Sequence, residues 1–172
     1  MPNVATSSAP GQRLLDRPMS DHVSRRFLDD QSIAYSVILH PPRWSSRAIA
    51  AVAHVCGADM IKPVMVKIED RLGMAIIAAD RRVDLDRLRA ALGARSVDLA
   101  DEWEFKDRFP DCETGAMPPF GHLYSIPVYA DVCLRERSGV AFSAGAHHET
   151  IRLRGEDFLR LVRARWICGL AC

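Results

Sequence analysis

The sequence predicts an α+β protein, a mixed, mainly antiparallel β-sheet with helices packed around it. Strand-like runs come in adjacent pairs, as in "IKPVMVKIEDRLGMAIIAA", where a short turn joins two apolar, β-branched stretches. Helix-like runs fall between the strands without the regular strand–helix–strand alternation of a parallel sheet. The chain has 172 residues, 48% hydrophobic and 26% charged, which is enough to bury one core.

The elements follow in order. Residues 1–20 have no apolar stretch of leader type and are expected to form an N-terminal arm. Residues 21–166 are expected to be a single domain and 167–172 a tail. In "SDHVSRRFLDDQSI", Ser20 or Asp21 offers a cap, and Val23, Phe27 and Leu28 recur at helical spacing. "IAYSVIL" (33–39) is β-branched and aromatic and reads as a strand, which "HPPRW" breaks. "SSRAIAAVAHVCGA" reads as a helix capped by Ser45 or Ser46 and stopped by Gly57. Two strands then meet at a turn around Asp70–Gly73. "VDLDRLRAALGA" is an amphipathic helix closed by Gly93. "LADEWEFKDRF" is another, with acids in its first turn where the helix dipole favours them. After the loop "GAMPPFG" (115–121), "IPVYADV", "GVAFSAG" and "ETIRLR" read as strands and "GEDFLRLVRARWI" as a closing helix.

Composition excludes several classes. A formal net charge of +1 does not mark the whole chain as a nucleic-acid binder. The local arginine clusters (Arg13, Arg17, Arg25, Arg26; Arg152, Arg154, Arg160, Arg163, Arg165) read as solvated faces, with contact to RNA phosphates the alternative. No apolar run has the length of a membrane span. Five cysteines, an odd number without a CxxC pair, fit reduced thiols in a cytoplasm. Cys168 and Cys172 lack partners at zinc spacing. No GxSxG elbow surrounds Ser143, and neither GxxxxGK[ST] nor GxGxxG occurs. His40, His54, His122, His147 and His148 match no standard metal spacing. Neither a metal nor a cofactor is expected.

The loop "GAMPPFG" is where the chemistry is to be sought. Glycine permits positive φ and close approach by another molecule, and proline fixes the backbone around it. Such a loop is either a tight structural turn or a main-chain grip on a ligand. Lys62, opening an apolar strand, reads equally as an edge lysine kept near solvent and as a cation on a pocket rim. His147 follows the small-residue bend "SAG", which could set its ring beside that pocket; a surface turn is the alternative. Ser45 can be only a helix cap, and His40 only a strand end.

Together these segments are distinctive. "Y…LH", a helix start of Ser-Ser type, "K…V", "AADRRVDLDRLRAALGA", "LADEWEF", "GAMPPFG", "IPVYAD", "AG.H…I" and "DFLRLV" stand in the order found in one family. The chain from about Ile33 to Val162 resembles the YbaK/prolyl-tRNA synthetase-associated editing domains. The resemblance implies an aminoacyl-tRNA deacylase that frees a wrong amino acid from a mischarged tRNA. The family's strand lysine falls on Lys62, its Gly-x-x-x-Pro loop on Gly115–Pro119, and its late histidine on His147. Its helix-start threonine falls on Ser45, and the histidine ending its first strand falls on His40.

On that basis Lys62, Gly115, Pro119 and His147 are the expected catalytic residues. His40, Ser45, Ala116, Met117, Pro118, Ser143 and Gly145 are the expected substrate contacts, with His148 beside them. Main-chain N–H groups of the loop would stabilise an oxyanion. Lys62 would face a phosphate of the terminal adenosine. A water, assisted by the ribose hydroxyl, would attack the ester. The implied partners are the acceptor end of aminoacyl-tRNA and a synthetase, with no membrane; a monomer is the default. A non-catalytic binding module of the same fold is the alternative. Three departures from the family are visible: Ser143 in place of asparagine, "SSRA" in place of Thr-Ala, and Pro63 directly after Lys62.

Overall fold

In the computed structural model, residues 22–171 are described. The arm expected over 1–20, and the Ser20/Asp21 cap, lie outside them. The elements are α1 (Val23–Asp30), β1 (Tyr35–Leu39), α2 (Ser46–Val52), β2 (Ile61–Ile68), β3 (Arg71–Ala78), α3 (Leu85–Leu92), β4 (Val97–Leu99), α4 (Glu102–Phe105), β5 (Val128–Asp131), β6 (Gly139–Ser143), β7 (Glu149–Arg154), α5 (Gly155–Leu161) and β8 (Ala164–Ile167). Short 3-10 turns cover Lys106–Arg108, Gly121–Tyr124 and Val132–Glu136. The α+β expectation holds, with the strands divided between two sheets.

One sheet is antiparallel, in the order β1-β7-β6; the other is mixed, in the order β4-β2-β3-β5-β8. The β2–β3 and β2–β4 pairs are antiparallel, while β5 lies parallel to both β3 and β8. A single bridge, Met60 to Ala141, ties the start of β2 to β6. That bridge brings the lysine-bearing strand to the sheet that carries the late histidine.

Side-chain alternation builds two layers. Ile61 and Met65 of β2, with Met74 and Ile76 of β3, join Met117, Phe120, Phe142 and Phe158 in the main core between the sheets. The intervening Val66, Ala75 and Ile77 face the other way, onto Leu88 of α3, Ile167 and Leu170. β3 is therefore covered on both faces, which is why it reads as a near-continuous apolar run.

Several expected boundaries move, each for a local reason. α2 ends at Val52 because His54, not Gly57, takes the left-handed conformation (φ 53°). The hairpin turn is Glu69–Asp70, and Gly73 lies within β3. Glu69 holds a φ of 55° there, with its N–H on Ser96 and its carboxylate on the Arg95 amide. The acidic helix lasts only four residues, and the preceding Val97–Leu99 is a strand pairing the end of β2.

The closing helix stops at Leu161. Arg163 turns left-handed (φ 46°), and Ala164–Ile167 run parallel to β5. Residues 167–171, expected as a tail, are packed: Leu170 is buried, and the Ala171 N–H donates to Asp131 Oδ2 at 2.7 Å. Pro63 fits β2 because β4 pairs only with Val66–Ile68. The Met65 carbonyl accepts from Ala100, away from β3, so Pro63, of the same parity, turns its missing donor to an open edge. Among the described residues no helix is long and apolar enough to cross a membrane.

Candidate functional site

The segment Asp111–Phe120 is held at both ends. Asp111 accepts from the Tyr124 hydroxyl at 3.1 and 3.2 Å and from the Val23 N–H at 3.2 Å. It thus supplies an acceptor for the first amide of α1, whose N-cap His22 makes no side-chain cap bond. Cys112 lies beside Tyr124, and burial pushes its thiol up to about 12. From Ala116 to Phe120 the chain is buried, with Ala116 and Phe120 inaccessible and Met117 nearly so. Gly115 alone of the Gly115–Pro119 motif is exposed. The prolines are the loop's foundation, and Gly115 is its lip.

The lip is a tight turn. The Ala116 N–H donates to the Glu113 carbonyl at 2.9 Å, which makes Thr114 and Gly115 the corner residues. Gly115 sits at φ +87°, the value a type II turn demands at its third residue. Its own N–H points at Met117 Sδ, 3.2 Å away, a weak acceptor that an oxyanion would readily replace.

Four further bonds fasten the turn to the bend after β6. The Glu113 N–H donates to the Gly145 carbonyl at 2.8 Å, and the Gly145 N–H donates to the Ala116 carbonyl at 3.0 Å. Gly145 has a φ of +105°. The His147 N–H donates to Glu113 Oε2 at 2.7 Å, and His147 Nε2 lies 2.9 Å from the Thr114 carbonyl. A carbonyl only accepts, so Nε2 carries a ring proton, and in the neutral ring Nδ1 presents a lone pair. That Nδ1 is buried and has no hydrogen-bond partner among the described residues, and His147 is only 8% exposed. The loop and the late histidine, 32 residues apart in the chain, therefore form one rigid constellation.

A second polar group lies behind the first. His40 is buried, with Nδ1 on the Pro41 carbonyl at 3.0 Å and Nε2 on Thr150 Oγ1 at 2.9 Å. Burial, then the nearby His148 and Arg43, hold it below the ordinary histidine range against the opposing Pro41 bond, so the neutral ring is the resident form. Thr150 is buried and stands opposite Ser143 in the β6–β7 register. The His40 N–H donates to the His148 carbonyl at 3.0 Å.

Lys62 forms the other rim. Its Nζ donates to the Ala79 carbonyl at 3.3 Å. Burial, then Arg47, press its ammonium below the ordinary lysine range, with Arg82 acting in the same sense and Asp80 opposing. Residues 43–47 span the gap between the two rims. The Arg43 N–H donates to the His147 carbonyl at 3.1 Å, the Trp44 ring lies 6.2 Å from the His147 ring, and Arg47 reaches the Asp80 carbonyl at 3.4 Å. Ser45 sits between them, its hydroxyl accepting from the Ala48 N–H as the cap of α2.

The expected residues thus divide. Gly115, Ala116, Gly145 and His147 touch one another. Met117, Pro118 and Pro119 lie beneath, His40 and Ser143 meet through Thr150, and Lys62 joins through the 43–47 span. Sequence reasoning missed Glu113, Thr150 and Trp44. Only Trp44 carried a signal, a large aromatic directly before a helix cap. Among the described residues no group of three His, Cys, Asp or Glu side chains is arranged to hold a metal. A partly open cavity of about 140 Å³ lies against Asp80, Asp131 and Cys133 and takes in none of these residues. Of its two carboxylates, Asp80 and Asp131, the latter accepts from the Cys133 and Ala171 amides.

The chain has relatives of known description. It is 26% identical over 168 residues to the multifunctional Ser/Thr-tRNA deacylase ProXp-y of Escherichia coli (strain K12), covering 95% of this chain and 94% of that protein. It is 33% identical over 129 residues to the proline–tRNA ligase of Corynebacterium diphtheriae, which is 67% of this chain but 22% of the ligase. A solved structure, described as a candidate trans-editing enzyme for prolyl-tRNA synthetase, superposes with a TM-score of 0.71 at 18% identity, over 94% of this chain and 98% of the other. Residues 40–161 match the family model described as the aminoacyl-tRNA editing domain.

Proposed function

The chain belongs to the aminoacyl-tRNA editing domain family, and from that premise we propose that it hydrolyses the ester of a mischarged tRNA as a free-standing trans-editing deacylase. The observation that carries the reading is the hydrogen-bonded union of the 113–116 turn, Gly145 and His147. It offers donors and a lone pair in fixed positions around an exposed glycine. The chemistry needs little more: water adds to the ester carbonyl, the bond to the ribose oxygen breaks, and a free amino acid and intact tRNA leave.

In this reading the Gly115 N–H leaves Met117 Sδ and donates to the carbonyl oxygen as it gains charge. His147 Nδ1, unpartnered, accepts a hydrogen bond from the substrate ammonium or the attacking water. Lys62 faces a phosphate of the terminal nucleotide as a point charge. The free ribose hydroxyl assists the water, so no side-chain nucleophile is required. Serine and threonine are the amino acids to try first, because the relative matched along nearly its whole length is named for them. A separate editing step is useful because one methylene is worth only about 1–3 kcal/mol to a synthetase pocket.

The test is a panel of tRNAs charged with serine, threonine, alanine or cysteine, given to wild type and Lys62→Ala. Release from one or two species, slowed at least about tenfold in the variant, is expected of a cation worth about 1.4 kcal/mol or more in the transition state. Binding of every species without release would leave a binding module and overturn the enzyme reading.

A further inference from the structure

Trp44 is the least economical residue on the surface unless something covers it. It is 78% exposed, the most exposed of the large apolar side chains among the described residues. It is nevertheless held in place. Pro41 and Pro42 stiffen the chain before it, the Arg43 N–H is tied to the His147 carbonyl at 3.1 Å, and Ser45 caps a helix directly after it. Its ring stands 6.2 Å from that of His147, tilted by 42°. A rigid indole beside the candidate ester site loses little freedom when another flat group packs on it.

Cations predominate beside it in the chain. Arg43 and Arg47 flank Trp44 in sequence, both exposed, and Lys62 and Arg82 lie near Arg47 and Asp80. Arg43 spends one donor on the Pro42 carbonyl and Arg47 one on the Asp80 carbonyl. A guanidinium has five N–H donors, so most of each fork remains available to phosphate oxygens. An exposed aromatic face with exposed cations close in the chain is what an unpaired nucleotide needs: stacking for the base and charge for the backbone.

We propose that Trp44 is a stacking platform for an unpaired base at the 3′ end of tRNA, with Arg43 and Arg47 holding the adjoining phosphates. The inference rests on the deacylase reading for the identity of the RNA, but its test does not require turnover. The platform fixes where the single strand leaves the acceptor stem. It also accounts for recognition of a nucleic acid by a chain whose formal net charge is only +1.

The probes are an uncharged acceptor-stem minihelix ending in single-stranded CCA and the same duplex cut back to a blunt end. In the Trp103→Phe/Trp166→Phe background Trp44 is the only indole left. Its fluorescence is expected to be quenched by the CCA-ended minihelix and not by the blunt one. By anisotropy, Trp44→Ala is expected to lose about tenfold in affinity for the CCA-ended probe and nothing for the blunt one, the range one stacked base supplies. Trp44→Phe is expected to keep most of the affinity. Equal binding of both probes by wild type and Trp44→Ala would overturn the platform, as would an effect of Trp44→Ala confined to which amino acid is released. Quenching by CCA without release from any charged tRNA would sink the deacylase reading and leave the platform standing. Release with an unchanged KM in Trp44→Ala would do the reverse.

Discussion

Two glycines separate what the 113–116 turn contributes to activity from what it contributes to stability. Gly115 and Gly93 both sit at positive φ, +87° and +64°. A Cβ on Gly93 would have nothing within 4 Å, and one on Gly115 would meet only the His147 ring, Cε1 at 3.5 Å and Nε2 at 3.9 Å, ordinary contact. Alanine therefore costs each site backbone strain and not collision, about 1–2 kcal/mol. For a chain of this size that lowers Tm by about 2–4 °C per kcal/mol, and comparably in the two variants. The consequences for the site differ. Gly93 only closes α3, so Gly93→Ala is expected to keep wild-type deacylation. Relieving strain at Gly115 rotates the peptide whose carbonyl, on Thr114, holds His147 Nε2 at 2.9 Å, and whose N–H faces Met117 Sδ. Loss of one donor of oxyanion type costs about 10²–10³ in kcat elsewhere, so Gly115→Ala is expected to lose at least about tenfold. Tm by scanning calorimetry and single-turnover release from seryl-tRNA measure the two effects. Equal activity in both variants, at equal loss of Tm, would refute the role given to the turn.

Other expectations follow from the same contacts. Glu113→Ala removes the acceptor of the His147 N–H, 2.7 Å away, and should cut kcat about tenfold with a smaller effect on KM, whereas Glu113→Gln should retain most activity. His40 titrates below 6.5 in the folded state, so the unfolded chain takes up the proton first. Its share of stability is complete above pH 6.5 and is lost as pH falls through the folded value, so wild type should lose up to about 1.4 kcal/mol per pH unit relative to His40→Asn in denaturant titrations. A Cβ on Gly155 would lie 1.7 Å from the Arg137 carbonyl oxygen, so Gly155→Ala should cost about 3 kcal/mol or more, read as a lower urea midpoint, with no specific effect on KM. Cys112, buried and pushed up to about 12, should resist iodoacetamide at neutral pH while the exposed Cys56 reacts.

The sequence conveyed most of what is periodic or capped. β2 and β3 announced themselves by apolar runs, and α3 by its amphipathic spacing and Gly93 after it. Elements specified by distant partners were not legible. β4 is three residues long and exists because β2 has a free edge there. β8 hides behind helix-like spacing because Arg163 breaks the helix without a glycine or proline. The site shows the same division. Lys62, Gly115 and His147 were visible through their residue types and order. Glu113 and Thr150 were not, because an acid before a glycine and a threonine in a strand mean nothing until Gly145 and His40 are brought beside them.

The most direct measurement is release of labelled serine or threonine from charged tRNA, run beside the same tRNA ending in 2′-deoxyadenosine with the ester on the 3′ oxygen. Wild type is expected to free the amino acid well above the spontaneous rate from the normal tRNA and to leave the deoxy-terminated one charged. Loss of both esters at the same rate would contradict the part given to the ribose hydroxyl. Release no faster than in buffer, from either and from every other charged species tried, would contradict the deacylase itself.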